Sequence, residues 1–207
     1  MAARLMLQAS LAFEDERYAT AIEHADETLA LQPEHHTALR CRAAAHWYLD
    51  QFVEALHDYG QLLLLPESPD HSRTGLLISR AAVLSELGEF DQALEILLPA
   101  IAAARTARSR DLARGLNALG RALTGLERFP EADEAFRESL TMEPENAWLH
   151  FNRGLFFMVQ GQPTAAGRCF ALAHGLKRPP LSPRKRLQTA AFLRKPHAAV
   201  QGDRAPI

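Results

Sequence analysis

The 207-residue chain is 47% hydrophobic, 7% aromatic and 23% charged, the composition of a globular chain with enough apolar mass for a core. Its formal net charge of -2 hides an asymmetry: residues 1–176 carry a balance of -9 and residues 177–207 one of +7, an acidic body with a basic tail. Two cysteines exclude a disulfide framework, and no apolar run reaches membrane length. The N-terminal stretch MAARLMLQASLAFEDE turns charged too soon for a signal or a span, so a reducing, cytoplasmic location is expected.

In chain order, the hydrophobic period predicts helices over residues 2–14, 18–31, 36–49, 53–64, 74–87, 91–106, 110–125, 130–142, 147–160 and 164–176. Pro33 and Pro144 should end the second and eighth helices, because proline lacks the N–H that a continuing helix needs. Pro66 opens a loop to Ser72. Gly88 and Gly161 mark tight turns, and Leu126-Glu127-Arg128 should make the same turn without glycine. Pro99 falls inside the sixth helix and should kink it, and a tight connection is expected near Arg108 to Arg110. After Lys177 the chain should turn at Pro179-Pro180. Ser182-Pro183 then reads as an N-cap with a first-turn proline. An eleventh helix follows to Lys195, with Leu187, Ala190, Ala191 and Leu193 as its apolar stripe. Residues 197–207 read as a disordered tail.

Three columns of residues repeat along this series. Ala21, Ala55, Ala93, Ala132 and Ala166 are spaced by 34, 38, 39 and 34 residues. Three places before each stands Tyr18, Phe52, Phe90, Phe129 or Pro163. Twelve places before each stands a second small residue: Ala9, Ala43, Ala81, Gly120 or Gly154. Four places after the last four stand Tyr59, Leu97, Phe136 and Phe170, and the first has Ala25. Paired small residues let two helices approach closely, and bulky residues at helical offsets fill the space beside the contact. Gly120 and Gly154 are therefore expected to be the positions least tolerant of added volume.

These columns resemble the tetratricopeptide repeat (TPR) pattern, best in Leu116, Leu119-Gly120, Leu123, Ala132, Phe136 and Pro144. The resemblance implies an all-α fold: a right-handed α-solenoid of about five helix pairs over residues 1–178, with repeats near 2–35, 36–69, 74–109, 113–146 and 147–178. Residues 179–196 would form a basic turn and a capping helix, since the last repeat of a solenoid needs its apolar face covered. It also implies a non-catalytic scaffold that holds another protein's peptide or helix in a concave groove lined by the first helix of each pair. Some TPR cochaperones clamp a heat-shock protein's terminal carboxylate with lysine, asparagine and arginine. The matching places here hold Met6, Ser10, Cys41, Gly75 and Ser79, so that clamp is absent.

The groove stripe is expected one residue, about 100°, round from the packed stripe. That offset selects Arg40, Trp47 and Tyr48, then Ile78, then Arg114, Asn117 and Arg121, and finally Trp148, Phe151, Asn152, Leu155 and Met158. Apolar ends would flank a polar centre whose arginines suit a partner's carboxylate. Arg42, Arg80 and Arg153 recur beside the small residues. Their heads should pair with acids of neighbouring helices while their stems pack. The basic tail offers a second reading, an electrostatic adaptor docking on nucleic acid or an anionic membrane, and self-association through the end repeats a third. No HExxH, CxxC, Asp-rich calcium loop, G-x-S-x-G, P-loop or dinucleotide fingerprint occurs, so no enzyme activity, cofactor or metal is expected.

Overall fold

A computed structural model describes residues 1–67, 72–176 and 183–194. These fold as eleven helices: α1 (Ala2–Glu14), α2 (Tyr18–Leu31), α3 (His36–Tyr48), α4 (Phe52–Leu64), α5 (Arg73–Glu86), α6 (Phe90–Thr106), α7 (Asp111–Gly125), α8 (Phe129–Met142), α9 (Ala147–Val159), α10 (Pro163–Gly175) and α11 (Pro183–Arg194). No strand occurs among the described residues. Each of the first ten agrees with its expected span to within a residue at either end. The tip of the Pro66–Ser72 loop, the turn at Pro179-Pro180, the Ser182 cap and residues 197–207 lie outside the described residues, as do the side chains of Ala191 and Leu193.

Two kinds of turn alternate, for reasons visible in the sequence. Within each pair, one residue adopts positive φ: Glu16 (61°), Asp50 (59°), Gly88 (83°), Glu127 (58°) and Gly161 (70°). The next residue's N–H then donates back to the helix just ended. The bonds are Arg17 to Ala12 (2.8 Å), Gln51 to His46 (2.9 Å), Glu89 to Leu84 (3.0 Å), Arg128 to Leu123 (2.9 Å) and Gln162 to Phe157 (2.8 Å). This is the Schellman arrangement, which satisfies a carbonyl left over at the helix end. Between pairs, a proline follows the outgoing helix and a side chain caps the incoming one. His35 Nδ1 accepts from Ala38 N (3.2 Å), Ser72 Oγ from Gly75 N (2.9 Å) and Asn146 Oδ1 from Trp148 N (3.0 Å). The connection from α6 to α7 departs from this rule. It has no proline and reuses the other turn, with Arg108 at φ 49° and Ser109 N donating to Ala104 O at 2.9 Å. α6 continues through Pro99 to Thr106.

The chain divides into two compact units, Met1–Ala135 and Phe136–Ile207. In the first, α1 to α7 pack in sequence, each helix against the next. Ala9, Ala43, Ala81, Ala21, Ala55, Ala93 and Ala132 are all 0% exposed, as close helix approach requires. Met6, Leu29, Leu39, Tyr59, Leu62 and Leu76 fill the space around them. At one end of α3, Tyr48 stacks on Tyr18 with centroids 4.6 Å apart, and Phe13 meets both rings edge-on. Gly125 closes α7 against the neighbouring repeat helix, because a Cβ there would strike the Phe90 ring.

A buried ion pair ties three helices of this unit. Asp58 of α4 is 2% exposed and accepts two bonds from the Arg42 guanidinium of α3, at 2.9 and 2.6 Å. Arg42 also reaches Asp26 of α2 at 2.5 Å. The bonds to both aspartates hold Arg42 charged, its pKa well above the usual arginine value despite burial. The expected pairing of the arginine column with neighbouring acids thus holds at Arg42. At Arg153 the guanidinium lies over the Phe157 ring, 5.2 Å from its centroid.

In the second unit α9 and α10 pack as a pair, with Ala147, Phe151, Ala166, Phe170 and Ala173 as its core. Gly154 is the contact point: a Cβ there would come within 2.5 Å of Phe170 Cε1. α11 packs on α10, and of the expected apolar stripe Ala190 is half-buried while Leu187 faces solvent. Leu187 is 71% exposed, and the buried side chains described on α11 are Lys185 and Thr189. The reason lies in phase: Lys185 and Thr189 share one face at i, i+4, which turns Leu187 to solvent.

Candidate functional site

The first helix of each pair carries the residues expected to meet a partner, and the structure sorts them by exposure. Ile78 and Phe151 are 0% exposed, Asn152 is 2% and Asn117 is 9%. These four are corrected from open groove residues to buried ones. The physical reason is stacking. Ile78 lies three residues before the small Ala81, on the face that meets the following first helix; a Cβ on Gly115 of α7 would sit 3.0 Å from its Cδ1. Phe151 holds the equivalent place before Gly154 and packs in the core of its pair.

The arginines expected to hold a partner's carboxylate are already engaged within the first unit. Arg121 Nη2 lies 3.1 Å from Glu86 of α5, both side chains largely buried. Arg114 donates to the Gly75 carbonyl at 3.1 Å and to Asp111 at 2.8 Å. Asp111 accepts from Ser72 as well, at 2.7 Å, so this network fastens α7 to the start of α5. Its charges balance internally, which leaves little field for an incoming carboxylate. Arg40 remains exposed, while Trp47 and Tyr48 are half-buried beside the aromatic cluster. Next to Arg40, burial pushes the Cys41 thiol up to about 11, against the opposing pull of the Arg40 charge. Cys41 and Cys169 are both free.

On α9 the stripe keeps its outward residues. Leu155 and Met158 are each 40% exposed, and Val159, which the groove offset does not select, is 59% exposed. Spacings of three and four residues put all three on one helix face. The sequence signal for Val159 is its place four residues after Leu155. Trp148 is half-buried at the other end of the helix, under the Lys185 ammonium of α11, which lies 4.1 Å from the centroid of its ring. No helix among the described residues is long and apolar enough to cross a membrane. Nor do the described residues contain a group of three or more His, Cys, Asp or Glu able to hold a metal ion. His150, in a large-residue packing place, bonds the Pro144 carbonyl at 2.7 Å.

Helix pairs held by buried small residues, with identical turns inside the pairs, define the class: a helical-repeat protein. The tetratricopeptide repeat models match residues 72–145 in one case and residues 6–72 and 117–174 in another. The chain belongs to the tetratricopeptide repeat family. Solved structures agree on the fold. The thermophilic TPR protein TTC0263 of Thermus thermophilus superposes with a TM-score of 0.69 at 18% identity, over 93% of this chain and 99% of that one. MamA of Desulfovibrio magneticus RS-1 gives 0.59 at 21% identity, over 86% and 95%. YrrB, described as a TPR protein with an unusual peptide-binding site, gives 0.54 at 17% identity, over 92% of each chain. No curated protein matches the sequence.

Proposed function

We propose that this chain is a protein-interaction scaffold that binds a segment of another protein along the outer face of α9. The observation that carries this reading is the exposed run of Leu155, Met158 and Val159 on a first helix whose other faces are buried. Apolar side chains grouped on one rigid helix supply the anchors that a peptide or helix docks against. The peptide-binding description of YrrB supports the same mode at the level of the fold. In the first unit, Arg40 is exposed and Trp47 half-buried, while the arginines at 114 and 121 are committed to α5. The tail-driven alternative loses Lys185, whose ammonium is buried against aromatic rings and withdrawn from any polyanion.

The test is affinity capture from cells of origin with the wild type, a Leu155→Glu/Met158→Glu double variant and a Leu172→Glu control on α10, where Leu172 is 53% exposed. The reading requires partners retained by the wild type and the control and lost by the double variant. Identical sets from all three would sink it.

A further inference from the structure

α11 meets α9 through a cation–aromatic contact. The Lys185 Nζ lies 4.1 Å from the Trp148 ring centroid and 5.6 Å from that of Phe151, and Lys185 is only 9% exposed. A cation over two aromatic faces is attracted by both quadrupoles, and more strongly when water is excluded. Thr189, one turn on, is fully buried and turns its hydroxyl back to the Arg186 carbonyl at 2.9 Å. Leu187 points to solvent. Among the described side chains of α11, the two that are buried therefore carry an ammonium and a hydroxyl.

We propose that Trp148 and Phe151 form a cation-accepting subsite, that α11 is its removable internal occupant, and that the segment which displaces α11 is a basic helix presenting a lysine in the place of Lys185. This rests on the reading of α9 as the binding helix and deepens it. Leu155, Met158 and Val159 would take the partner's apolar residues at one end of α9, and the two rings its ammonium at the other. The chemistry reverses the acidic partner that Arg114 and Arg121 suggest in the sequence.

The chain holds two tryptophans, so replacing Trp47 by phenylalanine leaves Trp148 as sole reporter. In that background, full-length protein is compared with Lys185→Glu and with Lys185→Met, which keeps the stem and removes the charge. The probe is a synthetic peptide of residues 183–194 with blocked ends. Both variants should keep the helical circular dichroism of the parent and show roughly twofold or greater acrylamide quenching of Trp148. The peptide should restore protection saturably in the variants. It should bind the parent about tenfold more weakly, because the tethered helix competes at high effective concentration. A peptide with glutamate at the place of Lys185 should bind the variants about tenfold more weakly than the native peptide, the range set by a cation–π contact. Unchanged quenching in both variants would overturn the proposal. So would equal binding of the two peptides, equal binding by parent and variants, or no protection at millimolar peptide. The outcome is independent of the capture experiment on Leu155 and Met158, so either reading can fail alone.

Discussion

Gly154→Ala measures how closely the helices of the second unit are pressed together. Two opposing effects set its size. Replacing a helical glycine by alanine favours the helix by about 1 kcal/mol. Against that, the new Cβ would stand 2.5 Å from Phe170 Cε1 and 2.7 Å from Cδ1, and the ring is 3% exposed with no room to swing. Overpacking of this kind costs about 1–3 kcal/mol, and the upper part of that range fits a rigid ring pressed on backbone. The net expectation is a loss of about 1–2 kcal/mol, seen as a fall in Tm of roughly 2–8 °C for a chain of this length. Gly60→Ala is the matched control. Gly60 lies inside α4 and a Cβ there meets nothing within 4 Å, so it should gain up to about 1 kcal/mol. The difference between the two variants isolates the packing cost. Thermal melts followed by circular dichroism, with Phe170→Leu added to Gly154→Ala as the relief variant, make the assay. Equal melting shifts for Gly154→Ala and Gly60→Ala would refute the close-approach reasoning, as would no recovery on shortening Phe170.

Asp58→Ala should cost about 3–5 kcal/mol in urea unfolding, because it leaves the Arg42 charge in a poorly hydrated place. Asp26→Ala should cost under about 1 kcal/mol, since the Asp26 carboxylate is half exposed to solvent; similar losses from both would contradict the assignment of Asp58 as the principal partner. Cys41, with its thiol raised to about 11, should react with iodoacetamide far more slowly at pH 8 than an unhindered cysteine. Its rate should climb as pH passes 9 and approaches 11 while the fold persists, and fast modification at pH 8 would show the thiol to be open.

The fold is legible because packing writes itself into residue size. Ala9, Ala43 and Ala81 sit twelve residues before Ala21, Ala55 and Ala93, and both columns are buried completely. Turn chemistry is legible in half. Pro33, Pro144 and Gly161 announce their turns and the place of Leu126-Glu127-Arg128 in the repeat marks another, whereas Glu16 takes the same positive φ with nothing in residue type to mark it. The site is harder to read, because a free helix stripe and a stripe facing the next repeat share one period. Ile78 and Phe151 follow the groove spacing yet lie buried. Their bulk, three places before a small residue, is the cue that they serve packing. Arg121 pairs with Glu86, 35 residues away, and no local pattern links them. Likewise, Lys185 reads as one more charge in a basic run until α11 is set on α9.

The central claim is that a partner docks on the outer face of α9. Photo-crosslinking tests it most directly, with benzoylphenylalanine placed at position 155 on α9 or at position 172 on α10, both exposed and both in the second unit. Irradiation in cells should give a discrete adduct with one protein from position 155 and none from position 172. Adducts from position 172 alone, or from neither, would contradict the account.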